Sequence, residues 1–163
     1  MRRLDRLVKI QRQLGFESEA GLVEQDIDPN VYSLLILMNV TGNQTFASCG
    51  GHTNGRLKCW IKEDTGKDLK YGGYIDFEPT SIDLVTNLEQ YLKHFYPLKK
   101  NVDVWIDRTF GVGLKHKKDG WRVSWYFKSY GSNRKLIHLL EAFFIDRIEE
   151  LKKEEAGTQQ SPQ

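Results

Sequence analysis

Cysteine is scarce in this sequence: Cys49 and Cys59 are the whole complement in 163 residues. A disulfide framework is thereby excluded, a chain of this length does not need one, and free thiols are expected. An excess of one charge is also missing. Lys and Arg number 24 against 22 Asp and Glu, a formal net charge of +2, so the total demands neither nucleic acid nor a membrane surface. Any charged site must come from local clustering. Long apolar runs are missing too. The densest, residues 31–40, contains Ser33 and Asn39 and falls short of the roughly twenty apolar residues of a spanning helix, so no membrane association is expected. The opening MRRLDRLVKIQRQLGFE is basic, but Asp5, Lys9 and Arg12 interrupt its apolar residues, which reads as a cytoplasmic protein without a cleaved leader. Neither GxxxxGK[ST] nor GxGxxG occurs, and there is no internal repeat.

What is there describes one folded domain. The composition, 39% hydrophobic and 12% aromatic, suits a chain that buries a core. Leu4, Leu7, Val8, Ile10 and Leu14 recur at helical spacing up to Gly15. Asp28-Pro29 offers an N-cap followed by proline in the first turn, opening a helix over 31–40 that is apolar on most of its circumference. Strands are expected over 44–48, 57–62, 71–78 and 102–106, and a hairpin over 110–115 and 121–130 around Asp119-Gly120. Two amphipathic helices complete the pattern. One opens at Pro79-Thr80-Ser81 and carries Ile82, Leu84, Val85, Leu88, Tyr91, Leu92 and Phe95; the other runs from Leu136 to Leu151. The order reads as α+β: a single domain over 1–151, with a mixed or largely antiparallel sheet of about five to six strands packed with about three to four helices. Residues 152–163 read as a frayed helix end and a disordered tail.

The densest chemistry lies in TFASCGGHTNGR, residues 45–56. Four readings of it stand open. Gly50, Gly51 and Asn54-Gly55 can simply reverse the chain, with Cys49 as a small buried hydrophobe. Cys49-x2-His52-x6-Cys59 can supply three metal ligands, but a structural zinc wants a fourth, from His94, His116 or His138, so no metal is expected. Cys49 can be a nucleophile with His52 as its base, although no oriented acid stands beside His52. Finally, glycines let backbone N–H groups converge on an anion, with Ser48 and Thr53 adding hydroxyls and Arg56 and Lys58 adding charge. That last reading uses most of the residues present.

Asp28-x2-Val31, the apolar helix to Asn39, and Thr45-x2-Ser48-Cys49-x-Gly51 together resemble the N-terminal signature of the tRNA wybutosine-synthesizing methyltransferase family. Bacterial relatives of unknown role with a Ser-Cys-Gly-Gly-His form are more similar still. The resemblance covers about residues 26–56 and implies an α+β fold and a pocket for a nucleoside or S-adenosylmethionine. Ala47, Gly50 and His52 depart from the family pattern, and with arginine missing at position 52, Arg56 is the available fork of donors.

The expectation is therefore a protein that binds a small anionic nucleotide-derived ligand in a pocket rimmed by residues 48–56. Ser48, Gly50, Gly51, His52 and Arg56 are its contacts. One alternative is a group-transfer enzyme on RNA or a nucleotide, with Cys49 and His52 at the reacting centre; another is an interaction protein whose loop is structural. RNA is a further candidate partner, because Arg122, Ser124, Tyr126 and Lys128 share one face of a strand whose other face carries Trp121, Val123, Trp125 and Phe127. Those tryptophans are assigned to the core.

Overall fold

A computed structural model describes the backbone of residues 28–52, 69, 71–94, 101–112 and 118–160. Helix α1 spans Pro29–Val40, followed by strand β1 over Gln44–His52, strand β2 over Tyr71–Glu78 and helix α2 over Ile82–His94. Strands β3 over Val102–Val112 and β4 over Lys118–Phe127 lead to the long helix α3 over Tyr130–Gln160. The strands form one antiparallel sheet in the order β1-β2-β4-β3, so the fold is α+β. β4 is antiparallel to both its neighbours, so β2 and β3 run parallel, joined by the α2 crossover with β4 inserted between them.

Alternation along the strands decides which face meets the helices. Ile75 and Phe77 of β2, Val102 and Ile106 of β3, and Val123, Trp125 and Phe127 of β4 are buried and share one core cluster with all three helices. α1 contributes Val31, Leu34, Leu35, Ile36, Leu37, Met38 and Val40, which leaves almost no solvent-facing stripe on this helix. α2 contributes Leu84, Val85 and Leu88 on one side only, and its apolar Ile82 is 60% exposed. α3 contributes Leu136, Ile137, Leu140, Phe144 and Ile148, spaced by three or four residues.

Several boundaries differ from the sequence pattern, each for a local reason. The described residues contain four strands rather than five or six, because residues 102–106 and 110–112 belong to one strand, β3, with a register shift between Thr109 and Val112, and 57–62 lies outside the described residues. Asp119-Gly120 is strand, not turn: Gly120 pairs with Thr109 and Lys118 with Val112, so the chain reverses before it. β4 stops at Phe127 and α3 starts at Tyr130, six residues before the apolar repeat begins. Ser129 makes that possible, since its hydroxyl accepts from the Ser132 N–H at 3.2 Å, and its carbonyl accepts from the Asn133 N–H at 3.1 Å. At the other end α3 runs to Gln160, where a disordered tail was expected. Arg147 with Glu150 and Glu154, and Lys152 with Glu149, form ion pairs along this solvated stretch. The expected first helix and the strand over 57–62 lie outside the described residues. None of the described helices is long and apolar enough to cross a membrane.

Candidate functional site

The Cys-Gly-Gly segment, expected as a loop from Ser48, is strand up to His52, the last residue of β1, and residues 53–56 lie outside the described residues. Ser48 pairs with Ile75 and Cys49 with Tyr74. Partners across an antiparallel pair share a face, so Ser48 lies on the helix side of the sheet and Cys49 on the other. After Cys49 the register shifts, and His52 pairs with Gly72.

Inside that irregularity Gly50 is buried and held by two helix starts at once. Its N–H donates to Asp28 Oδ2 at 2.7 Å, and its carbonyl accepts from Asn30 Nδ2 at 2.8 Å and Asn133 Nδ2 at 2.9 Å. Asp28 stands at the N-cap position of α1 but makes no side-chain capping bond there. The carboxylate instead reaches 22 residues along the chain to Gly50. Asn133 is itself fixed, since its Oδ1 accepts the fully buried Trp125 indole N–H at 2.8 Å. The backbone N–H of Gly50 is therefore spent within the fold, which removes it from the set of anion donors that the sequence suggested.

The glycines are dictated by this packing. A Cβ on Gly50 would lie 1.9 Å from Asn30 Oδ1, and one on Gly51, whose φ is +117°, would lie 2.5 Å from Phe127 Cζ. Around Gly51 an aromatic group closes the end of the sheet: Tyr71 stacks on Phe127 at 5.1 Å between centroids and leans on Tyr130 at 5.2 Å. Tyr130 remains 65% exposed.

Beside this junction, between α1 and α3, is a cavity of about 310 Å³. Asn30 and Ser33 line it from α1; Tyr130, Asn133, Arg134, Ile137, His138 and Glu141 line it from α3. Arg134 and His138 are exposed at its rim, whereas Asn133 and Glu141 are 3% and 2% exposed. Both helices point their N-terminal ends, the positive ends of their dipoles, toward the Gly50 junction. Polar side chains dominate this lining.

Of the residues singled out in the sequence, Ser48, Cys49, Gly50, Gly51 and His52 are brought together on β1, while Arg56 and Cys59 lie outside the described residues. The cavity's own side chains were not singled out as a site, except His138 as a distant metal ligand. Among the described residues, no group of three or more His, Cys, Asp or Glu is arranged to hold a metal. The one signal for the cavity was the helical spacing of Tyr130, Arg134, His138 and Glu141, which the strand assignment to Tyr130 concealed.

The outer sheet face is a different surface. Asp76 is 4% exposed and receives Arg122 Nε at 2.5 Å and Nη2 at 2.9 Å, while the guanidinium also lies 4.4 Å from the Tyr74 ring centroid. Bonding to Asp76 is the main cause that raises the Arg122 pKa above its ordinary value. Asp103 and Asp107 stand in register with Tyr126 and Arg122. Trp105 meets Tyr126 edge-on at 4.9 Å.

Comparison with protein-family models, curated proteins and solved structures finds no match to this chain.

Proposed function

We propose that this protein binds a small anionic, nucleotide-derived ligand in the cavity between the start of α1 and the first three turns of α3. The observation that carries the reading is that exposed Arg134 and His138 share one cavity lining with Asn30, Ser33 and buried Asn133, beside the starts of two helices whose dipoles present positive potential. Arg134 supplies the fixed fork for a phosphate or carboxylate, the role the sequence assigned to Arg56. His138 supplies a second donor, and Tyr130 a hydroxyl and an exposed ring at the mouth. A volume of about 310 Å³ sits at the lower bound of small-molecule sites, about 300 Å³, which favours a mononucleotide over a dinucleotide. The Cys-Gly-Gly segment then has a supporting role: it bolts the two helix starts together, and the similarity to the wybutosine family over these residues is read as a shared way of building a pocket. Cys49 lies on the opposite face of the sheet, so the proposal assigns it no chemistry on the ligand.

The test is calorimetric titration of adenosine, guanosine and uridine monophosphates into the wild-type protein and Arg134→Ala. One charge-assisted contact is worth about 1.5–3 kcal/mol, so Arg134→Ala is expected to weaken a binding nucleotide about ten- to a hundredfold with an unchanged melting temperature. Equal affinity in the two proteins removes Arg134 from the site, and no heat with any nucleotide overturns the reading.

A further inference from the structure

From the ring at the mouth of the same cavity we infer where the base of the ligand lies: outside the cavity, stacked on Tyr130. The site therefore takes purine nucleotides ahead of pyrimidine ones and does not separate adenine from guanine. The inference rests on the proposed nucleotide site and adds to it the class of base.

Tyr130 opens α3 and is 65% exposed, yet its ring is held in place. It leans on Tyr71 at 5.2 Å between centroids and 33° between planes, and on the fully buried Phe127 at 6.5 Å and 49°. A ring fixed by packed neighbours loses little freedom when a second ring settles on it. Ile82 is the other large apolar side chain left this exposed among the described residues, and it does not line the cavity. The lining explains why the base stays outside. Asn30, Ser33 and Asn133 offer donors and acceptors for a ribose and a phosphate, whereas Tyr130 is the only Tyr, Phe or Trp among the described lining residues. Tyr130 and Arg134 are four residues apart on α3, hence neighbours on one face, about 6 Å apart along the axis. The ribose of a nucleotide can bridge that distance, with the phosphate on Arg134 and the base over the ring. A base stacked at the surface turns its hydrogen-bonding edges to water, so the protein reads the area of its π-face, which is larger in a purine. Every base has such a face, so pyrimidines bind more weakly rather than not at all.

The experiment titrates AMP, GMP, UMP and ribose 5-phosphate into the wild-type protein, Tyr130→Ala and Tyr130→Phe by calorimetry, with circular dichroism of each protein to check folding. AMP and GMP are expected to bind within about twofold of each other, UMP about fivefold more weakly, and ribose 5-phosphate about tenfold or more below AMP. In Tyr130→Ala all the nucleotides are expected to fall to the level of ribose 5-phosphate, whose own affinity stays within about twofold of wild type. Tyr130→Phe loses the hydroxyl but keeps the ring, and is expected to keep the purine preference. Should Tyr130→Ala fail to fold, Tyr130→Leu retains apolar packing on Tyr71 without a π-face and is expected to give the same levelling. Equal affinities for AMP and UMP in the wild-type protein, or a purine preference that survives loss of the ring, overturn the stacking role and leave the nucleotide site standing. A large gap between AMP and GMP overturns it too, because the base is then read by its edges. If ribose 5-phosphate weakens in parallel with the nucleotides in Tyr130→Ala, the ring shapes the whole site and does not hold the base. Absence of binding by every nucleotide overturns the site and the inference together.

Discussion

Two cavities flank α3, and their difference shows why size alone does not locate a site. The larger, about 460 Å³, lies between α2 and α3 and includes Asp83, Asp146, Glu150, Arg147, Tyr91 and Phe143 in its lining. Three carboxylates face one guanidinium, and that guanidinium is already bonded to Glu150 at 3.0 Å and Glu154 at 3.4 Å. An anion entering there meets net repulsion. Among the described residues the smaller cavity carries Arg134 and His138 against one acid, Glu141, and it starts beside two helix N-termini, where partial positive charge is fixed in place. The smaller cavity is also braced: Asp28, Asn30 and Asn133 converge on one glycine beside it, and Trp125 holds Asn133 in place. Preorganised polar groups, rather than empty volume, set the two apart.

The strongest way to break that contrast is Gly50→Ala. The new methyl carbon would lie 1.9 Å from Asn30 Oδ1, so the Asn30 amide must swing away and give up its bond to the Gly50 carbonyl. We expect a loss of about 3 kcal/mol in unfolding free energy by urea titration, from overpacking together with weakened bonds to Asn30 and Asn133. Nucleotide affinity should fall with it. A variant as stable as wild type would show that the brace is slack and that the smaller cavity owes nothing to it.

A weaker effect belongs to the larger cavity. The Tyr91 hydroxyl donates to the Leu139 carbonyl at 2.9 Å and ties α2 to α3. Burial, and second the charge of Asp146, raise its pKa above the ordinary 10.0. The folded state thus holds this proton more tightly than the unfolded chain. The resulting stability is fully present below pH 10 and is lost as pH rises through the folded value. Tyr91→Phe should cost about 1 kcal/mol at pH 8. The gap between variant and wild type should narrow above pH 10, because phenylalanine has no proton to lose. A gap that widens with alkali would mean that the ionised tyrosine is the stabilised form.

How much of this was legible depends on whether the determinant was local. The α1 helix could be read because apolar residues fill nearly its whole circumference, and the buried face of β4 because Val123, Trp125 and Phe127 alternate with Arg122, Ser124 and Tyr126. The extent of α3 could not. Its first turn is Tyr-Gly-Ser-Asn, polar and glycine-containing, and is initiated by Ser129 rather than by any apolar period. The same misreading hid the cavity, since Tyr130 and Arg134 belong to one helix stripe only once the helix is known to begin there. Asp28 and Gly50 were each noticed, one as a cap and the other as a loop residue, but their bond joins positions 22 apart and has no periodic trace. The Asp76 pair with Arg122 likewise joins distant positions, set by the register of β2 against β4.

The finest test of the contrast uses the two arginines as a matched pair. Arg134 and Arg147 both stand on α3, and each lines a cavity, one beside the helix start and one about three and a half turns later. If net charge decides, only the first binds an anion. Arg147→Ala removes exposed pairs with Glu150 and Glu154, which are worth at most about 0.5 kcal/mol. It also leaves the larger cavity more acidic. We expect nucleotide affinity within about twofold of wild type and a nearly unchanged melting temperature, against the ten- to hundredfold loss in Arg134→Ala. A comparable loss of affinity in Arg147→Ala would place the anion between α2 and α3, where Arg147 must then leave its carboxylate partners to bind it, and the braced cavity would be structural only.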